Sequence, residues 1–279
     1  MSESTTTTTI INEPGLKHVK HVILVLSGKG GVVKSTVAVQ LARCFNKAGA
    51  RVGLLDIDLC GPSVPKIMGI EGTSVKTTSA GWLPVFAEAA AGRFPVVSIG
   101  LLTDEQDAPV IWRGPKKNSI IRALVEDVCW GELDVLVIDT PPGTSDEHIS
   151  AVEYLMSGDG KGRVSGAVMV TTPQNISVID VKKEISFCRK TEIPILGIVE
   201  NMSGYVCPHC STCTNVFSSE GGRILAEQSE VPFIGKLPID PFVCECEERG
   251  LDPFVEAPKL GIEMKTLKPL EDFVASFKI

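Results

Sequence analysis

Apolar and polar positions along the chain fall into two alternating patterns. Predominantly apolar runs occupy residues 22–26, 52–56, 133–138, 166–170, 195–199 and 233–237. Short runs rich in Val, Ile and Leu are the mark of strands covered on both faces. Between most of them the apolar residues recur at helical spacing, over 37–47, 118–128, 146–156, 177–189 and 222–229. Strands alternating with helices predict an α/β fold with a mostly parallel central sheet between two helical layers. Right-handed crossovers then bring the carboxyl ends of the strands to one edge, where ligands bind. Residues 72–114 are irregular and rich in Gly and Pro, which predicts a short hairpin and loops. Near the end, Leu267, Leu270, Val274 and Phe277 repeat at helical spacing. The few lysines on the polar face of that segment favour a packing helix over a membrane-surface one. No repeat or linker divides the chain. A single domain over 16–279 is expected, preceded by a disordered Ser/Thr-rich tail at 1–15.

Composition narrows the choice of partners. The 279 residues carry a net charge of -7 and no long basic run, so a nucleic-acid surface is not indicated. No stretch has the length or hydropathy of a membrane span, and the first residues lack the basic start and apolar centre of a signal peptide. The 9 cysteines are an odd number. Without a signal peptide they suggest a reducing, cytoplasmic setting, where clustered cysteines more often mean metal than disulfide.

The stretch from Ser27 to Thr36, Ser-Gly-Lys-Gly-Gly-Val-Val-Lys-Ser-Thr, joins the first strand to the first helix. Strand, glycine loop and helix form the context of a phosphate-binding loop, whose backbone N–H groups and helix dipole attract phosphate. Gly28, Gly30 and Gly31 would let the backbone approach a nucleotide. Lys34 would hold the terminal phosphates, Ser35 would bind Mg²⁺, and Thr36 would bond a nearer phosphate. Asp56 and Asp58 end the second strand, and Asp139 ends a later one. Asp139 is expected in the Mg²⁺ shell, Asp58 on the attacking water, and the Gly143 N–H near the γ-phosphate. Taken singly, each aspartate would read as a loop cap. The template G-x-x-x-x-G-K-[ST] has a fault here, because Val33 stands at the second glycine position. That position often needs φ > 0, which a β-branched residue resists. Strain on the order of 1–3 kcal/mol would follow, and weak or absent ATP binding is expected from it.

Cys207-Pro208-His209-Cys210-Ser211-Thr212-Cys213 is the second informative stretch. Cys207 and Cys210 at C-x-x-C spacing can grip one metal centre, but zinc and 4Fe–4S sites usually need four ligands. A two-fold dimer would supply the missing half. A complete single-chain site would have to recruit Cys213 with His209, Cys244 or Cys246. From the residues alone, zinc is at least as strong a reading as iron–sulfur. Cys44, Cys129 and Cys188 fall in helical patterns and read as small core residues. Cys60 falls in a loop after the second strand, with packing as its default role. The thiols of Cys244 and Cys246, spaced C-x-C on a helical segment, should point apart.

The loop with its extra Lys29 resembles the deviant phosphate loop of the MinD/Mrp-type ATPases. DIDLCGPS at 56–63, WRGP at 112–115, DTPPGTSD at 139–146, TTPQ at 171–174 and ENMS at 200–203 are similar to the Mrp and nucleotide-binding-protein branch. The resemblance spans residues 20 to about 251. It implies a three-layer P-loop NTPase fold like that of MinD and the nitrogenase iron protein. It also implies that Lys29 reaches a partner's nucleotide across a dimer, that Asn201 contacts the adenine, with Asp240 a weaker candidate, and that Cys207 and Cys210 share a transient 4Fe–4S cluster between subunits. No cysteine precedes Cys44, so the chain resembles the short subunit of the cytosolic iron–sulfur scaffold family, which lacks a four-cysteine N-terminal extension. The implied function is a scaffold ATPase that passes its cluster to apo-proteins, acting as a homodimer or with the longer paralogue. A MinD/ParA-like positioning ATPase and a zinc-stapled NTPase are the rival readings. The first predicts a basic terminus or patch, and the second predicts bound zinc.

Overall fold

The centre of the sheet is β1 (Val19–Ser27), the apolar run that leads into the phosphate loop. The computed structural model describes residues 13–59, 61–102, 114–143, 146–157, 160–207, 210 and 212–279. Parallel to β1 lie β7 (Leu133–Asp139) on one side and β8 (Val164–Thr171) on the other. Beyond β7 come β2 (Val52–Asp56) and β6 (Phe94–Ser98), and beyond β8 comes β9 (Ile195–Val206). β11 (Phe233–Ile239) adds to β9 in parallel. Among the described residues, only β5 (Val85–Ala87) and the short β10 (Cys213–Thr214) join this sheet antiparallel. A separate hairpin pairs β3 (Lys76–Thr77) with β4 (Trp82–Leu83).

Strand side chains alternate between the sheet's faces, and β1 shows how both are buried. Ile23 and Val25 pack with Val37, Leu41 and Phe45 of α1 (Lys34–Lys47) and with Leu270 and Val274 of α9 (Lys268–Ser276). Val22, Leu24 and Leu26 face the opposite layer. There they meet Ile121 and Leu124 of α3 (Gly114–Glu126), Leu155 of α4 (Asp146–Leu155), Val181 and Ile185 of α5 (Asn175–Lys190) and Leu225 of α6 (Gly221–Ser229). The C-terminal segment is therefore a packing helix. α9 packs directly on α1, while α2 (Val64–Ile67) packs against α1, α7 (Pro241–Glu248) against α2, and α8 (Pro253–Lys259) against α7. Asp240 and Asp252 cap α7 and α8, each accepting the N–H two residues on at 2.9 Å with Pro at the first helical position.

Three local features differ from the sequence reading. The irregular stretch 72–114 does contain a hairpin, but it also holds β6, a fully buried strand of the main sheet. Pro95 made this run read as a break; it is tolerated because β6 meets only the short antiparallel β5 on that side. Cys129 is buried as expected but lies past α3, in a bridge to Gly15. That bridge also fixes the end of the expected tail: the Gly15 N–H donates to the Val128 carbonyl at 3.0 Å, and Glu13 pairs with Lys17. Residues 1–12 of the tail, Cys60, Trp112 and Arg113 lie outside the described residues.

Candidate functional site: a phosphate loop and a paired-cysteine hairpin

Register places the acidic residues of the site. β2 and β7 are neighbours with Asp56 opposite Asp139, and β6 puts Ser98 opposite Asp56. All three strands end at the edge from which the loop 28–33 leaves β1. Gly28 is required there, because a Cβ would stand 2.4 Å from the Asp180 carbonyl carbon of α5. Gly30 has open space around it, and Gly31 turns at φ 79°. The Ser27 hydroxyl donates to the Lys29 carbonyl at 3.2 Å, and Lys29 itself is half-buried. Val33 sits at φ 59°, ψ 48°, the left-handed region, as the uncapped N-cap of α1. The glycine-like conformation expected of this position is present, and a valine adopts it. The loop is held by the Asn201 side-chain amide, which donates to the Val32 carbonyl at 2.9 Å. The Gly143 N–H, expected near a γ-phosphate, instead donates to the Ser27 carbonyl at 2.7 Å.

The charged groups converge behind the loop. Lys34 is buried and forms an ion pair with Asp139 Oδ1, while Asp139 Oδ2 is buried without a hydrogen-bond partner. The Ser35 side chain stands beside Asp139 and draws its carboxyl down. Asp56 is wholly buried; it accepts the Ser98 hydroxyl at 2.8 Å and the Asp58 N–H at 2.9 Å. Burial, with the charge of Asp139 beside it, pushes the Asp56 carboxyl up to about 8. Burial raises Asp139 as well, against the pull of Lys34. Lys34 thus balances Asp139, Asp56 is held protonated near neutral pH, and Asp139 Oδ2 is left as an unsatisfied acceptor. A divalent cation on Ser35 and Asp139 fits that donor set, since hard oxygen ligands suit Mg²⁺.

On the other side of the loop a cavity of about 150 Å³ is walled by Val33, Asn201, Leu237, Pro238, Asp240 and Val243, among others. Apolar cavities of roughly this size accept a benzene-sized ring. Both residues considered for the base, Asn201 and Asp240, line it. Their polar groups are largely engaged: Asn201 holds the loop, and Asp240 caps α7 and accepts the Thr266 hydroxyl at 2.8 Å. Thr36, expected on a phosphate, donates to Glu247 Oε2 at 2.8 Å, and Gln40 donates to Glu247 Oε1 at 2.9 Å. Sequence reasoning missed Glu247, Ser98 and Asp180. Nothing local marks them, because each acts on a residue far along the chain.

The cysteines lie where β9 runs beyond the sheet edge. β9 turns back into β10, and the Cys207 N–H donates to the Thr212 carbonyl at 3.0 Å. Cys210 is exposed, with its sulfur 3.3 Å from Thr212 Oγ1. Hydrogen bonding with the Thr212 side chain and backbone and with Cys207 holds the Cys210 thiol below its ordinary value, which favours the metal-binding thiolate. Cys213 is turned toward the Ser203 carbonyl, at 4.0 Å. Among the described residues no group of three His, Cys, Asp or Glu is placed to hold a metal. Cys207 and Cys210 therefore offer two thiols from one chain. Cys244 is exposed and Cys246 buried, pointing apart as their spacing required.

Residues 18–274 match the sequence profile of the ParA group described as NUBPL iron-transfer P-loop NTPases. The chain belongs to this family of iron-transfer P-loop NTPases. Among curated relatives, the cytosolic Fe-S cluster assembly factor NUBP2 homologue of Dictyostelium discoideum is 57% identical over 93% of this chain and 94% of its own length. NUBP2 of Homo sapiens is 51% identical over 88% and 89%. A nucleotide-binding protein of Archaeoglobus fulgidus, solved in complex with ADP, is 36% identical with a TM-score of 0.71, covering 84% of this chain and 88% of its own. MinD of Pyrococcus furiosus shares the fold at 20% identity, with a TM-score of 0.63 over 92% and 97% of the two chains. The protein is thus an α/β P-loop NTPase of the MinD-like fold with a role in iron–sulfur assembly, and its curated relatives are named as cytosolic assembly factors. No described helix is long and apolar enough to cross a membrane.

Proposed function

We propose that this chain is a cytosolic scaffold that builds a transient 4Fe–4S cluster between two subunits and passes it to apo-proteins. The observation that carries this reading is the Cys207/Cys210 hairpin. It presents two neighbouring thiols, one with a lowered pKa, at the exposed end of the strand that also carries Asn201. Two thiols are half a cluster site, and a second subunit completes it. That subunit is another copy of this chain or a longer paralogous scaffold subunit. Cys213, six residues beyond Cys207, serves as a reserve ligand or hand-over thiol. The positioning alternative leaves the cysteine pair without a use, which weighs against it.

ATP is the second substrate. Lys34 and the loop N–H groups from Gly28 to Gly31 receive its phosphates, with Lys34 exchanging Asp139 for phosphate oxygen. Ser35 and Asp139 hold Mg²⁺, and Asp56 supports Asp139 from the adjacent strand. When bound there, Mg²⁺ would supply charge neutralisation at the phosphates. Asp58 orients water, and Lys29 acts across the interface as a cation supplied by assembly. Asn201 and the cavity beside it receive the base. Because Asn201 holds the phosphate loop and stands on β9, β9 links the nucleotide to the cysteine hairpin. The test is transfer from the loaded protein to an apo 4Fe–4S enzyme, read as recovered enzyme activity with and without ATP. Recovery that disappears in Cys210→Ser is expected; equal recovery from free iron and sulfide alone would remove the scaffold role.

A further inference from the structure

Glu247 is a carboxylate that the roles above do not use. It stands on α7, faces α1, and lines the cleft formed by Val33, Ser35 and Thr36. Both its oxygens are taken by α1, Oε2 by the Thr36 hydroxyl and Oε1 by the Gln40 amide. Thr36, Gln40 and Arg43 recur at i, i+4 and i+7 and so share one face of that helix. Arg43 is fully buried, with Nε and Nη1 lacking a hydrogen-bond partner; its nearest paired carboxylate, Asp252, is 3.9 Å away.

We propose that Glu247 sets nucleotide affinity by competing with phosphate for Thr36. This rests on reading the loop as an ATP site. A threonine hydroxyl has one hydrogen to donate, and here Glu247 receives it. For Thr36 to donate to a phosphate, that bond must break. The carboxylate then remains as a negative charge at the wall of the phosphate cleft. Glu247 keeps its second bond to Gln40 and is drawn along the same helix face toward the unsatisfied guanidinium of Arg43. Glu247 is a positioning residue: it acts on nucleotide through Thr36 and through its charge.

The test compares ATP, ADP and adenosine binding, with Mg²⁺ present, by calorimetry on the full chain. Wild type, Glu247→Gln and Glu247→Ala are each measured alone and in a Val33→Gly background, with far-UV circular dichroism reporting the fold. Removing one buried charge from the phosphate cleft is expected to tighten ATP on the order of tenfold, ADP less, and adenosine not at all. A merely structural contact would give the opposite sign, since breaking it would loosen the loop and weaken every ligand. Unchanged or weaker ATP binding in both variants, or an equal gain for adenosine, overturns the proposal. If the Val33→Gly background binds ATP and Glu247→Gln adds nothing, the proposal falls and the ATP site stands. If no variant in either background binds nucleotide, both fall together.

Discussion

Replacing Val33 separates two energies that the sequence presents as one. The backbone there holds φ 59°, ψ 48°, and an L-residue pays about 1–2 kcal/mol in the left-handed region, more when β-branched. The conformation is secured by the protein's own bonds, Asn201 on the Val32 carbonyl and the first turn of α1. The strain is therefore charged to folding and largely cancels between free and nucleotide-bound protein. Glycine relieves it but adds unfolded-state entropy of about 0.5–1 kcal/mol. Both Val33→Gly and Val33→Ala lose the contacts of a side chain that is 40% exposed, so that loss drops out of their comparison. Val33→Gly is then expected to be more stable than Val33→Ala by on the order of 0.5–1 kcal/mol, the reverse of the order elsewhere in helices. Urea unfolding followed by circular dichroism measures this directly. Alanine equal to or better than glycine would refute the strain. Nucleotide affinity provides the second arm. If the bulk of Val33 obstructs phosphate, both variants tighten ATP alike; tightening by glycine alone would mean that strain does reach the binding step.

Other consequences follow from buried charge. Glu184, within α5, is buried with neither carboxylate oxygen bonded, and burial with the Asp180 charge pushes it up to about 7. The folded state thus keeps a proton that the unfolded chain releases near the ordinary value of 4.5. Stability is expected to fall as pH rises from about 4.5 to 7 and to level off above. Glu184→Gln should remove that slope and gain on the order of 3 kcal/mol at pH 8; identical urea midpoints for the two proteins across this range would contradict it. For the Lys34–Asp139 pair, Lys34→Ala should cost about 3–5 kcal/mol because it strands a buried carboxylate. The double variant with Asp139→Asn should cost less than the sum of the singles, and additivity in thermal melts would mean that the pair is not coupled.

Much of the architecture was readable because the signals are local. Strand and helix periods placed the sheet, the glycine loop identified its functional edge, and strand-end aspartates pointed into the site. The left-handed demand at position 33 was also legible, since the loop template implies it. What escaped lies in long-range pairing. β6 was hidden because Pro95 reads as a break until the sheet leaves one side of it sparsely paired. The Thr36–Glu247 bond joins residues 211 apart, and no spacing rule reports it. Asn201 and Gly143 were assigned to ligand, yet their donors serve the loop's own carbonyls, because a sharp turn creates acceptors that the sequence does not display. The cysteine pair was legible for the opposite reason: its geometry is set within a single hairpin.

Anaerobic reconstitution of the purified protein with iron and sulfide, with visible absorption, metal content and native mass measured on one sample, tests the shared cysteine site most directly. The expected result is a dimer with about four iron atoms per two chains and the broad absorption of a 4Fe–4S centre, lost in Cys207→Ser and in Cys210→Ser with the fold unchanged. Stoichiometric zinc that iron does not displace, or a cluster retained after either substitution, would contradict it.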